Sequence, residues 1–327
     1  MFCSPIGDQD GISCLKLENL RNIAFELIKV GVSITPKYIN SCNKTQLYNT
    51  IGSYFEKENL CKDENCWSTT DIVQKSVKNI NDLFIPIMPD KWRDKPSEWL
   101  NTTDIDNVLN QYAKAYKNFH YTGAVPIDFD LKAKDGYCEV SDICKISIPQ
   151  LYKKGIRKIG IVFNTDPSTK DGEHWISAYI DLNGIDRNVL LGGAQGQMNR
   201  EIGGRKKKKT RQSRMRKKVK KTKRNRKDKK VYGMYFFDST SDPAPKQVID
   251  LFNRLKKQAK KININLEFFE NDIQHQMGNN ECGVYCLYFV SNMLKDKSYF
   301  KIIEDIKRDK DMHEFRKVFF RPNTKKT

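Results

Sequence analysis

The sequence lacks any run of about 18 apolar residues, the length a membrane-spanning helix requires. Its opening stretch, MFCSPIGDQD, lacks the charged-then-apolar order of a secretory signal peptide. These absences argue against an integral membrane protein and against Sec-dependent export. Histidine is scarce, with only His120, His174, His275 and His313, so few residues can serve as a general base near neutral pH. Metal-ligand patterns are also missing. Cys61 and Cys66 stand close together, but no second Cys/His pair lies near them to complete a four-ligand zinc site, so neither a metal nor a cofactor is expected. The nine cysteines are odd in number and irregular in spacing, which predicts mostly free thiols in a reducing compartment. No internal repeat is found.

What is present is a globular composition: 38% hydrophobic and 11% aromatic residues in 327. At about 150 residues per domain this length predicts two domains. The formal charge of +19 is unevenly placed. Residues 205–230 carry 18 Lys/Arg and one Asp, a net +17, leaving 41 basic against 39 acidic residues elsewhere, or +2. The chain is a nearly neutral protein with a cationic strip inserted.

Residues 1–95 read as a helical domain. Leu15, Leu17, Leu20, Ile23, Ala24, Leu27 and Ile28 approximate a helical stripe. Pro36 opens a second expected helix running through Tyr48, Ile51 and Phe55. Thr70-Asp71 caps a third, with Ile72, Val73, Val77, Ile80 and Leu83 on its face. Pro86, Pro89 and Pro96 then break the pattern. The second domain, 96–327, begins with a helix near 103–116. Ile156–Phe163, Trp175–Leu182, Met234–Asp238 and Leu266–Phe269 read as strands, and Pro245–Lys261 as an amphipathic helix. Val284–Leu294 is apolar almost all round and predicts a buried helix. Helical turns over Ile302–Phe320 are expected to close this domain. Between the strands, 184–230 reads as a disordered Gly/Lys/Arg-rich insertion.

The chemistry-bearing pair is a histidine opening a strand and a cysteine opening a buried helix. His174 begins HWISAYIDL and Cys282 begins CGVYCLYFV. A thiol at a helix N-terminus meets the positive end of the macrodipole, which favours the thiolate nucleophile. Gly283 would let a substrate approach the backbone. The plainer reading of Cys282 is a buried structural cysteine. His174 can act as general base and acid towards the thiol. His275 is the alternative base, but only seven residues separate it from Cys282. Asp238 ends the strand YFFD, where a carboxylate can orient an imidazole; its plainer reading is a strand-terminating turn residue. Gln276, six residues before Cys282, can donate to a developing oxyanion together with the Cys282 backbone N–H. Cys286, one helical turn after Cys282, reads as core filler.

The stretches GEHWISAYIDL, YFFDSTSDPAP and HQMGNNECGVYCLYFV resemble the cysteine proteases that process ubiquitin-like proteins, together with the adenovirus maturation protease. Within that superfamily they are most similar to the polyprotein-processing enzymes of large DNA viruses such as African swine fever virus. The resemblance implies an α+β fold: a papain-like cysteine protease core in the permuted order His-Asp-Gln-Cys, preceded by a helical arm. It implies catalytic roles for His174, Asp238 and Cys282, an oxyanion role for Gln276, and a place beside the active site for Trp175. It further implies a thiol endopeptidase that cuts viral core polyproteins after Gly-Gly during virion maturation, in the virion and the viral factory of the host cytoplasm. The alternatives are a deconjugating protease for ubiquitin-like modifiers and a catalytically silent polyanion-binding virion protein. There are two departures. The swine fever enzyme resembles the papain type in having Asn as third member, where this chain has Asp238. The 64 residues between His174 and Asp238 are also far more than adjacent strands need, an excess the insertion explains because loop-closure entropy grows slowly with length.

The strip itself, with Arg205, Lys206, Lys207, Lys208, Lys209, Arg211, Arg214, Arg216, Lys217 and Lys218 in its first half, is dense enough to bind polyanions by counterion release. It holds no aromatic residue for base stacking, so contact with DNA is expected to be independent of sequence. The same residues fit a nuclear-entry signal. No membrane partner is expected. Leu191-Gly192-Gly193-Ala194 and Ile202-Gly203-Gly204-Arg205 look like Gly-Gly-X cleavage sites, although a flexible glycine linker is the plainer reading.

Overall fold

The computed structural model describes residues 2–190 and 230–323. Two compact units form. One comprises the residues up to Glu98 together with the segment from Arg316 onward; the other comprises Trp99–Phe315. The basic strip from Arg205 to Lys229 and both Gly-Gly pairs lie outside the described residues.

In the first unit the stripe of helix Leu17–Lys29 buries Leu20, Ile23, Ala24 and Leu27, the i, i+3, i+4, i+7 set. The single helix expected from Pro36 is two helices, Pro36–Ser41 and Lys44–Lys57. The break is favoured because the Asn43 side chain accepts from the Gln46 N–H while Gln46 reaches back to the Asn43 N–H, satisfying two end groups of a new helix. The third expected helix stops at Ser76, and Val77 turns extended. The Ser76 hydroxyl donates to the Ile72 and Val73 carbonyls, and Asn79 adopts a left-handed conformation before the 3-10 turn Ile80–Leu83.

The closing residues correct the expected 96–327 boundary. Arg321 is buried in the first unit, where it donates to Asn65 Oδ1 at 2.7 Å and Ser68 Oγ at 2.9 Å, and Phe320 packs edge-on to Trp92. A buried guanidinium needs such acceptors, and here the N-terminal segment supplies them. The thiol expectation is overturned as well. Cys3–Cys14, Cys61–Cys66 and Cys138–Cys144 are disulfides, leaving Cys42, Cys282 and Cys286 free. Each pair is close in sequence, so a single local turn brings the sulfurs together without any long-range framework for spacing to reveal.

The second unit is built on a five-stranded sheet in sequential order: β1 (Phe119–Pro126), β2 (Lys158–Asn164), β3 (Trp175–Asp186), β4 (Lys230–Phe237) and β5 (Leu266–Glu270). The β1–β2 and β4–β5 pairs are parallel; β2–β3 and β3–β4 are antiparallel. His120 lies within β1. Residues 184–190, expected inside the insertion, instead complete β3 and form the short helix Arg187–Leu190.

β2 is buried along its whole length, and β3 along its first eight residues. On one face Ile159, Ile161, Ile176, Ala178 and Ile180 meet Val248, Leu251, Phe252 and Leu255 of helix Lys246–Lys260. On the other, helix Cys282–Leu294 packs on β3. Phe289 stacks on Phe237, and a Cβ at Gly160 would press against Val290. Strands covered on both faces read as near-continuous apolar runs, which is why IRKIGIVF and WISAYIDL show little alternation. No described helix is long and apolar enough to cross a membrane.

Candidate active site

His174 immediately precedes β3 and Asp238 immediately follows β4. The antiparallel register Ser177↔Phe237 therefore carries both to the same end of the sheet. His174 Nε2 lies 2.9 Å from Asp238 Oδ1. Asp238 thus engages Nε2 and leaves Nδ1 as the ring's remaining nitrogen, and the Cys282 side chain is among the groups that act on the ring. Burial alone would lower the His174 pKa; hydrogen bonds to Asp238 and Cys282, with the charge of each partner, outweigh it and push the ring up to about 10. His174 is then an imidazolium at neutral pH, the partner a thiolate needs. Cys282 is buried at the first turn of a 13-residue helix.

Asp238 is held from several sides by residues that sequence reasoning did not assign. The Thr240 N–H and hydroxyl donate to Oδ1 at 2.8 and 2.7 Å. Asn271, one residue past β5, accepts from the Asp238 N–H at 2.9 Å and donates through Nδ2 to the Asp238 carbonyl at 2.6 Å. Its side-chain amide thus continues the ladder where the β5 backbone ends. Thr240 was visible in principle, because Asp-x-Thr is an Asx-turn pattern. A lone Asn271 carries no such signal.

His275, the alternative base, is excluded by its partners. It is fully buried, Nε2 faces the Ile303 carbonyl at 3.1 Å and Nδ1 accepts from the Lys307 N–H. Burial lowers its pKa, so it is a neutral structural residue. Gln276 is buried beside it, with its side chain bonded to Ser239 and Gly278. Asp309 Oδ2 accepts from Met277 N–H and Gly278 N–H at 3.0 and 2.8 Å, bracing the loop between Gln276 and Cys282.

Trp175 is buried and donates from Nε1 to the Leu100 carbonyl at 2.8 Å. Trp99, not assigned from sequence, donates from Nε1 to Asn280 Oδ1 at 3.1 Å, two residues before Cys282. Gly283 requires a correction. A Cβ there would stand 2.9 Å from Leu100 Cβ and 3.5 Å from Ile105, so its bareness serves packing against that segment and not substrate access. Cys286 is core filler: burial pushes its thiol up, and a contact with Ser177 only partly offsets this. Of the polyanion-binding set, Arg205, Lys206, Lys207, Lys208, Lys209, Arg211, Arg214, Arg216, Lys217 and Lys218 all lie outside the described residues.

No family model matches the chain. A protein of Acanthamoeba polyphaga mimivirus, described as a thiol protease, is 23% identical over 315 residues, covering 95% of this chain and 83% of that one. A cysteine protease of African swine fever virus is 23% identical over 296 residues, covering 86% and 92%. A protein from another isolate of that virus, named a SUMO-1 cysteine protease, matches over the same shares. The crystal structure of the African swine fever virus protease superposes with a TM-score of 0.58 at 20% identity, covering 89% of this chain and 94% of that one, and shows the same fold.

Proposed function

We propose, from the premise that this chain is a cysteine protease similar to these viral enzymes, that it cleaves viral core polyproteins after Gly-Gly during virion maturation. The observation that carries the reading is the Asp238–His174 hydrogen bond at the sheet end, with Cys282 acting on the same ring and the ring raised to about 10. The Cys282 thiolate adds to the scissile carbonyl. Gln276 and the Cys282 N–H stabilise the oxyanion. The His174 imidazolium gives its proton to the leaving amine, leaving a thioester on Cys282. Neutral His174 then takes a proton from water, whose oxygen attacks the thioester and releases the new carboxylate and the thiolate. Asp238 keeps the ring oriented through both steps.

Support for a Gly-Gly site comes from the resemblance of the motifs around His174, Asp238 and Cys282 to those of the viral polyprotein-processing enzymes. The name carried by the relative described as a SUMO-1 cysteine protease favours a second substrate, a ubiquitin-like conjugate. Such modifiers also join through a Gly-Gly end, so the chemistry would be the same. The working place is taken to be the virion and the viral factory of the host cytoplasm, with the 205–230 strip contacting DNA without sequence preference.

The test compares hydrolysis of a Gly-Gly-X polyprotein fragment with that of a ubiquitin-like conjugate, using the wild type and Cys282→Ala. Cleavage of the fragment that is absent in the variant supports the proposal. Cleavage of the conjugate alone transfers it to the second substrate. Equal cleavage by the variant ends the assignment of Cys282.

A further inference from the structure

Oxyanion stabilisation by a glutamine depends on which end of its amide faces the reacting carbonyl. An amide turned by a half-rotation presents oxygen and repels the charge it should bind. Gln276 is held at both ends. Its Nε2 donates to the Gly278 carbonyl at 2.8 Å, and its Oε1 accepts from the Ser239 hydroxyl at 2.7 Å. A backbone carbonyl only accepts, so the nitrogen must be the end facing Gly278. The oxygen then faces Ser239, whose hydroxyl must donate. Both side chains are about 1% exposed, so water cannot replace either bond. The backbone is tied at the same place: the Ser239 carbonyl accepts from His275 N–H at 2.8 Å and from Gln276 N–H at 2.9 Å.

We infer that Ser239 is a positioning residue for the oxyanion amide. Its hydroxyl fixes Gln276 in the orientation that leaves one amide hydrogen of Nε2 free for the tetrahedral intermediate. Because Ser239 directly follows Asp238, a single turn at the end of β4 holds both the carboxylate that orients the imidazole and the hydroxyl that orients the oxyanion donor. The inference rests on Gln276 being that donor.

A double-mutant cycle tests it on whichever of the two substrates above the wild type turns over. Ser239→Ala is expected to lower kcat by about 10- to 100-fold, somewhat less than the loss of an oxyanion donor, with KM changed less than about twofold. Ser239→Thr, which keeps a donating hydroxyl, is expected to restore most of the rate. In a Gln276→Ala background, Ser239→Ala should cost less than about twofold, because no amide remains to orient. If the alanine variant does not fold, as judged by circular dichroism, Ser239→Gly removes the same hydroxyl. A Gln276→Ala enzyme with unchanged kcat overturns the oxyanion reading of Gln276. A Gln276→Ala enzyme that is slowed, with Ser239→Ala either silent or equally costly in both backgrounds, overturns the Ser239 inference alone.

Discussion

Replacing Asp238 by Asn isolates the charge that holds the proton on His174. The substitution keeps an oxygen where His174 Nε2, the Thr240 N–H and the Thr240 hydroxyl converge, and removes only the negative charge. Burial lowers the ring's pKa, and the hydrogen bonds and charges of Asp238 and Cys282 raise it to about 10. Two unit charges about 4 Å apart interact by about 4 kcal/mol at an effective dielectric of about 20. Each ~1.4 kcal/mol displaces a pKa by one unit. The His174 side chain is 20% exposed, so solvent screens part of this interaction. The working form is the imidazolium, present below the raised pKa and lost as pH rises through about 10. In Asp238→Asn the alkaline limb of kcat/KM is therefore expected to fall by about one to three pH units. The folded-state pKa is raised, so the linked stability is fully present below the unfolded histidine's value of 6.5 and fades as pH rises towards about 10. The variant should lose the part of that pH dependence that the Asp238 charge supplies. Steady-state hydrolysis across neutral and alkaline pH, paired with an NMR titration of the His174 ring, reads both effects. An alkaline limb that does not move, or a wild-type ring that titrates near 6.5, refutes the reasoning.

Three further outcomes are expected. Alkylation mapped by mass spectrometry should modify Cys282 before Cys42 and Cys286; all three are buried, but Cys282 acts on the raised His174 ring, and burial pushes Cys286 up, so equal rates would count against an activated nucleophile. Gly283→Ala should destabilise the fold by about 1–3 kcal/mol, read as a lower denaturant midpoint, because its Cβ would stand 2.9 Å from Leu100 Cβ; an unchanged midpoint with a raised KM would return Gly283 to the substrate cleft. Deleting residues 205–229 should weaken binding to duplex DNA and flatten its dependence on salt concentration, and an unaltered salt slope would remove the proposed DNA contact.

The proposed catalytic residues were legible because each marks the boundary of an element with its own pattern. His174 opens a strand of Ile, Ala and Tyr, Asp238 closes an aromatic one, and Cys282 opens a helix apolar on every side. Their supports were not legible. Asn271 acts through a side chain that imitates a peptide group, and only the parallel register of β4 and β5 places it beside Asp238. β1 was missed because Gly123, at φ +86°, and a register shift between Tyr121 and Ala124 break the alternation that betrays a strand. Gly283 was read as an opening towards substrate because a sequence shows the absence of a side chain but not which neighbour fills the space.

The same sheet explains how 64 residues can separate His174 from Asp238 without disturbing their contact. β3 runs 12 residues from Trp175 to Asp186, roughly 35 Å at about 3.3 Å per residue. The described chain leaves β3 through Arg187–Leu190 and returns at Lys230, where Asp186↔Lys230 and Ile185↔Val231 restart the pairing. A register shift between Asp181 and Ile185, accommodated by Gly184 at φ +71°, separates that end from the regular ladder. Beyond the shift every step from Asp181↔Gly233 to Ser177↔Phe237 is in register, and the next residues outward include the triad's histidine and aspartate. The insertion is thus rooted at the opposite end of the β3–β4 pair from the chemistry. Chain-closure entropy grows slowly with length, so the number of residues inserted there bears little on the pairing. The alignment of His174 with Asp238 depends instead on the short ladder between them and on the Asn271 and Thr240 bonds that finish it.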